Sequence, residues 1–346
     1  LEHTVVKSCS FGIPKEGIKV VWEITNKCQM NCIHCCNEHR RTGEDISLED
    51  AIKKVGELSK KNVSKIIFTG GDPLLYKDIF DLIEYVNKFN IKVCISTNGM
   101  LLDDYYNEII TVSPEKIIIG LDGLSESTHD KFRGCEDAFT KVIKGVENLI
   151  PHKSIKIELH SIVSKMNIHE IEQIIEFSKT KDIKLNLANL LEIENKPLIK
   201  DYILTNEDYN LYLDEINSEK HEHVRHIRKK KGLLEKCFAG SKIIGIRADG
   251  IYTPCIWLSN YTQEFDTDCL ESLFNTSKLF KEFDNSFCNH CTVEGCGKGC
   301  LAAILSSEKR VDPLCVISEN FDPIGRYCFN ITLINLLYFR EVVVLC

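Results

Sequence analysis

Cys28, Cys32 and Cys35 stand in the spacing C-x3-C-x2-C, directly after an apolar run, VVWEITNK at 20–27, that reads as a strand. Three thiolates on one loop can hold three irons of a cubane cluster and leave the fourth iron open to a small ligand; four-cysteine spacings belong to closed electron-transfer clusters. Zinc is the competing occupant, but its structural sites favour C-x2-C pairs. Cys36 offers another thiol, although adjacent residues do not easily reach one cubane. A second group, Cys237, Cys255, Cys288, Cys291, Cys296, Cys300 and Cys315, lies downstream, and its C-x2-C pair at 288–291 makes zinc a stronger rival there. The other seven cysteines, Cys9, Cys36, Cys94, Cys135, Cys269, Cys328 and Cys346, read mostly as buried apolar residues.

Composition narrows the field. Of 346 residues 17 are cysteine, an odd count, and the first twenty residues lack the apolar stretch of a signal peptide. Reduced thiolates acting as metal ligands fit this better than a disulfide framework, and a cytoplasmic location is the matching expectation. Forty-three Lys and Arg against 51 Asp and Glu give a net charge of −8, which argues against a nucleic-acid partner held by phosphate neutralisation. No run of 18 apolar residues exists, and the most apolar stretch, 331–346, is broken by Thr332, Asn335, Arg340 and Glu341, so no membrane span is expected. The basic run HVRHIRKKK at 223–231 reads as a solvated face.

The elements that must position the cysteines follow from periodicity. Short β-branched runs at Lys19–Thr25, Lys65–Thr69, Ile91–Ser96, Lys116–Leu121, Ser154–Val163 and Ile183–Leu190 alternate with helical patterns. The helices are Ser47–Lys61, Asp78–Asn90, Asp103–Ile110, Ala138–Ile150 and Ile168–Thr180, the first opening on Ser47 as N-cap. Six such units predict an α/β fold with a parallel sheet, curved into a partial (β/α)6 TIM-like barrel; a doubly wound open sheet is the alternative. The expected organisation is an N-terminal extension at 1–17, the barrel at 18–190, a helical bridge at 191–236, a cysteine-rich domain at 237–320 and a tail at 321–346.

Four motifs at successive strand ends extend the cysteine signal. They are the cysteine loop with His34 before its third cysteine, Gly70-Gly71-Asp72-Pro73, Ser96-Thr97-Asn98-Gly99, and Gly120-Leu121-Asp122-Gly123 followed by Arg133-Gly134. In this order they resemble the radical S-adenosylmethionine (SAM) enzymes. The resemblance implies a 4Fe–4S cluster on Cys28, Cys32 and Cys35 whose open iron binds SAM. It implies His34 near adenine, Gly70, Gly71, Asp72 and Pro73 at the methionyl amine, and Thr97 and Asn98 on the ribose side. Asp72 stands where the family usually has Glu, and Gly120 where it usually has Ser. The lost serine contact leaves Arg133 as the group to pair the SAM carboxylate, and Asp122 of the same motif is a further cofactor-binding candidate.

The downstream cysteines are similar to the SPASM extension of peptide-modifying members of that superfamily. The likeness assigns Cys237, Cys255 and Cys300 to one auxiliary Fe–S cluster, and Cys288, Cys291, Cys296 and Cys315 to a second. Cys269 or a substrate group would complete the first. The implied function is a peptide maturase that generates a 5′-deoxyadenosyl radical and cross-links a ribosomal precursor peptide through a C–C or C–S bond. Its implied partners are the precursor peptide, a separate leader-recognition protein, and a flavodoxin- or ferredoxin-type electron donor. Peptide epimerisation with a thiol hydrogen donor and modification of porphyrin side chains are the alternatives. A non-catalytic metal-binding scaffold is the rival from another class, and it leaves the ordered SAM loops unexplained.

Overall fold

The computed structural model describes residues 17–35, 43–190, 197–205, 208, 221–226, 238–240 and 242–258. Strands β1 (Ile18–Thr25), β2 (Val63–Gly70), β3 (Lys92–Thr97), β4 (Lys116–Gly120), β5 (Lys156–Val163) and β6 (Lys184–Asn189) alternate with helices. The helices are α1 (Leu48–Leu58), α2 (Ile79–Asn87), α3 (Tyr106–Val112), α4 (Glu126–Arg133), α5 (Ala138–Leu149) and α6 (Ile171–Thr180). β1 to β6 lie side by side in sequence order and pair in parallel. A doubly wound sheet would reverse its strand order at a switch point, so this order removes that alternative and keeps the barrel-type winding.

Three more strands extend the sheet beyond the six expected. β7 (Val224–His226) pairs in parallel with β6 at one edge. β8 (Ile243–Ile246) pairs in parallel with β1 at the other, and β9 (Tyr252–Thr253) closes a hairpin on it. The expected helical bridge at 191–236 thus supplies, among its described residues, a 3-10 turn at Pro197–Tyr202 and strand β7. The basic run expected as a solvated face overlaps that strand at 224–226, with Val224 and Arg225 half-buried. Residues 242–258 contribute to the barrel's own sheet, although the sequence assigned them to the cysteine-rich domain.

The strands are apolar toward the helices that cover them, and on the inner face a small apolar cluster lies beside polar and charged side chains. The outer face carries the larger core: Ile18, Val20, Trp22 and Ile24 of β1 meet Ile66 and Phe68 of β2 under Val55, Leu58, Leu82 and Ile83 of the helices. Trp22 and Phe68 lie 5.9 Å apart at their ring centroids, and truncating either to Ala would cost about 3–5 kcal/mol. The inner face holds a smaller cluster of Val21, Ile67, Cys94, Ile118 and Ile256. The expected cap of α1 is present, Ser47 Oγ accepting from Asp50 N at 3.1 Å. Among the described residues no helix is long and apolar enough to cross a membrane.

Candidate active site

The C-terminal ends of β1 to β4 bring the sequence motifs together. After β1 the chain enters the cysteine loop. Cys32 is buried, Cys28 and Cys35 half-buried, and Met30, Met100, Cys135 and Ala138 pack around them. The sulfurs are acceptors: Met30 N approaches Cys28 Sγ at 3.5 Å, Asn98 Nδ2 donates to it at 3.7 Å, and Arg133 hydrogen-bonds Cys32. Burial pushes the Cys32 thiol up to about 12, against the pull of Arg133, and the neighbouring Cys35 and Cys28 push the same way. A metal must therefore displace protons to bind here. Among the described residues no three His, Cys, Asp or Glu side chains converge on a single metal ion. Three soft thiols on one loop, with N–H donors aimed at their sulfurs, fit the ligand set of an iron–sulfur cluster with one open iron.

The loop after β2 is bound to the loop after β1 by its backbone. Gly71 N donates to Thr25 O and Asp72 N to Lys27 O, both at 2.8 Å. A Cβ on Gly71 would lie 2.1 Å from Lys27 O, so the approach requires glycine. Asp72 is fully buried and accepts from Leu74 N at 2.9 Å, Thr97 Oγ1 at 2.7 Å and Asn98 N at 2.8 Å. The structure therefore gives Asp72 and Thr97 the work of tying β2 to β3, and Pro73 opens the short turn that Asp72 caps. Asn98 reaches from β3 to the cysteine loop through Cys28 and Gln29.

Arg133 is the hub of the remaining contacts. Its Nε pairs with Asp122 Oδ2 at 2.6 Å, both side chains being buried. Asp122 Oδ1 accepts from Ile162 N at 2.7 Å, which fixes the carboxylate across β4 and β5. The guanidinium lies over Gly120, where a Cβ would come within 2.1 Å of Nη2. Gly120, read from sequence as a lost serine contact, is the space that Arg133 fills.

Helix α4 delivers Arg133. Ser125 caps its start, and Glu170 accepts from Leu124 N, Ser125 Oγ and Thr128 Oγ1 at 2.6, 2.7 and 2.6 Å. At its other end Asn31 N donates to Arg133 O and Ile33 N to Phe132 O, each at 3.1 Å. These bonds stitch the cysteine loop to the helix and set the His34 ring 4.8 Å from that of Phe132.

Sequence reasoning missed Asn167, whose Nδ2 donates to Asp122 O and Ile162 O, and His129, whose Nδ1 accepts from Asp122 N. No spacing marks either. Cys255 is described, half-buried after β9, its N donating to Thr253 Oγ1 at 3.2 Å. Cys237, Cys288, Cys291, Cys296, Cys300 and Cys315 lie outside the described residues.

Comparisons with known proteins place these features in context. Residues 22–178 match the Radical SAM superfamily. The chain is 30% identical over 167 residues to Fe-coproporphyrin III synthase of Methanosarcina barkeri (strain Fusaro / DSM 804), covering 47% of this chain and 41% of that protein. The chain thus spans less than half the length of that relative. It is 26% identical over 329 residues to the antilisterial bacteriocin subtilosin biosynthesis protein AlbA of Bacillus subtilis (strain 168), covering 89% of this chain and 72% of AlbA. Its fold is similar to that of Streptococcus suis SuiB crystallised with the precursor peptide SuiA, with a TM-score of 0.69 and 16% identity over 87% of this chain and 76% of that one.

Proposed function

Since residues 22–178 form a radical SAM domain, we propose that this chain is a peptide maturase that acts on a ribosomal precursor peptide and forms a C–C or C–S cross-link. The observation that carries the reading is the three-thiol loop whose sulfurs accept from Met30, Asn98 and Arg133. When bound, a reduced 4Fe–4S cluster with one open iron supplies the electron that splits SAM to a 5′-deoxyadenosyl radical able to take a hydrogen atom from substrate. In this reading Cys28, Cys32 and Cys35 hold that cluster, and the N–H donors at their sulfurs balance its negative charge. Arg133, held by Asp122, presents its remaining N–H groups to the SAM carboxylate. Gly71 and Asp72 commit their N–H groups to the protein, so Gly70 and its neighbours offer an ammonium their carbonyl oxygens. Asn98 and Thr97 border the ribose, and His34 the adenine. Cys255 joins Cys237 and Cys300 at one auxiliary cluster; Cys288, Cys291, Cys296 and Cys315 hold the other.

The peptide substrate draws support from AlbA, named for bacteriocin biosynthesis and similar along most of the chain. Cross-linking is a net oxidation, which suits a chain with further cluster ligands, whereas epimerisation is redox-neutral. A porphyrin substrate is the second reading, favoured by the 30% identity to Fe-coproporphyrin III synthase. Anaerobic reconstitution, reduction and incubation with a precursor peptide test the proposal. We expect 5′-deoxyadenosine and a peptide lighter by two hydrogens. Deuterium uptake from solvent without mass loss would mean epimerisation, and turnover of a porphyrin alone would replace the peptide reading. Cys32→Ala should abolish SAM cleavage; surviving cleavage would sink the ligand assignment.

A further inference from the structure

Arg133 is a buried cation with two partners. Its Nε meets Asp122 Oδ2 at 2.6 Å, and its side chain also hydrogen-bonds Cys32, the buried member of the three loop cysteines. Five N–H groups in a planar fork allow both bonds and leave others for the SAM carboxylate. The donors that approach Cys28, Met30 N at 3.5 Å and Asn98 Nδ2 at 3.7 Å, are neutral. Cys32 therefore differs in kind, because a full positive charge stands at hydrogen-bond range of its sulfur.

The pair is held on every side. Asp122 Oδ1 accepts from Ile162 N at 2.7 Å, its backbone N donates to His129 Nδ1 at 3.1 Å, and its carbonyl accepts from Asn167 Nδ2 at 2.9 Å. Arg133 O accepts from Asn31 N at 3.1 Å, which ties the arginine's backbone to the residue before Cys32. Charges fixed in this way keep their orientation when the charge beside them changes. The nearby histidines add none of their own. Burial first, and then the charge of Arg133, pushes His129 down to about 3 and His160 down to about 4, so both rings stay neutral. Asp72, on the adjacent loop, engages its oxygens with Leu74 N, Thr97 Oγ1 and Asn98 N.

The potential of an Fe–S cluster follows its net charge, its burial and the hydrogen bonds to its sulfurs. Reduction adds one negative charge, so a fixed cation nearby favours the reduced state and a fixed anion the oxidised one. We propose that Arg133 and Asp122 form an opposed pair that sets the reduction potential of the cluster on Cys28, Cys32 and Cys35, Arg133 raising it through Cys32 Sγ and Asp122 restraining that rise. The proposal rests on the radical SAM reading and gives the pair an electronic role separate from binding SAM.

An EPR-monitored titration with dithionite and redox mediators reads that potential, on the full chain reconstituted anaerobically and without SAM. The signal to follow is the one missing from a variant carrying Cys28→Ala, Cys32→Ala and Cys35→Ala. Arg133→Gln should make reduction of this cluster at least tenfold less favourable, a midpoint lower by about 59 mV for one electron. Asp122→Asn, close in shape, should move the midpoint upward, and Arg133→Lys should lie between Arg133→Gln and the wild type. A pair that only supports the fold would not give shifts of opposite sign. If one variant loses the cluster, the direction in the other decides. Midpoints within threefold of the wild type, shifts of the same sign, or loss of the cluster from both Arg133→Gln and Asp122→Asn would overturn the proposal. A reduced signal that is the same with and without the three cysteines sinks the radical SAM reading and the proposal with it. A distinct signal whose midpoint ignores the pair sinks the proposal alone.

Discussion

A methyl group at residue 120 would sit 2.1 Å from Nη2 of Arg133, so a missing side chain on β4 lets the guanidinium reach both Asp122 and Cys32. Gly120→Ser, which restores the residue usual in the resembled family, should therefore destabilise this chain by about 1–3 kcal/mol through overpacking. Urea denaturation checks it, and an unshifted midpoint would mean the guanidinium has another place to go. A second prediction concerns Glu115. Burial pushes its carboxyl up, but hydrogen bonds from Lys65 and Lys92 prevail and hold it at about 2, below the ordinary 4.5. A depressed carboxylate stabilises the fold fully above pH 4.5, and that stability drains as pH falls through 2. It amounts to up to about 3 kcal/mol. Glu115→Gln should flatten the stability profile between those pH values, and an unchanged slope would assign the acid sensitivity elsewhere.

Helix α4 and the cysteine loop form one mechanical unit, because Arg133 O and Phe132 O accept from Asn31 N and Ile33 N. Gly134 ends the helix with φ +59°, and a Cβ there would lie 2.4 Å from Asn31 O. Gly134→Ala should cost about 1–3 kcal/mol and also lower the iron retained on gel filtration, since the loop it displaces carries the cysteines. Full iron retention in the variant would show the stitch to be dispensable. At this scale the sequence was informative where elements were long and β-branched: β1 to β6 and the Ser47 cap of α1 follow from the pattern. It was silent on α4, whose ESTHDKFR has no apolar stripe, and on β7, β8 and β9, which are three, four and two residues long. The four motif loops were legible as a set. The partners of Arg133 and Asp72 were not, because no spacing reveals which way a buried side chain turns.

At the scale of the whole molecule the cysteines make a countable prediction. Three cubane clusters would bring iron to about 12 atoms per chain. Replacing Cys28, Cys32 and Cys35 together by Ala should remove about four of them and all SAM cleavage, leaving the remainder as Fe–S absorbance. Zinc without inorganic sulfide in the wild-type protein would favour the non-catalytic scaffold instead.

β1 takes one neighbour from β2, close behind it, and the other from β8, where Trp22 faces Ile246. During synthesis the first strand must therefore wait for more than two hundred residues before its second flank is covered. Until then it presents unpaired amides and carbonyls, the kind of border that recruits strands from other chains. Closing so distant a pairing is slow, and Cys28, the first thiol of the cysteine loop, lies three residues past the end of that same strand. The nascent protein would thus expose its thiols and a sticky flank together. A fragment ending at residue 190 should accordingly come out as aggregates, whereas one carried through 258 should remain monomeric.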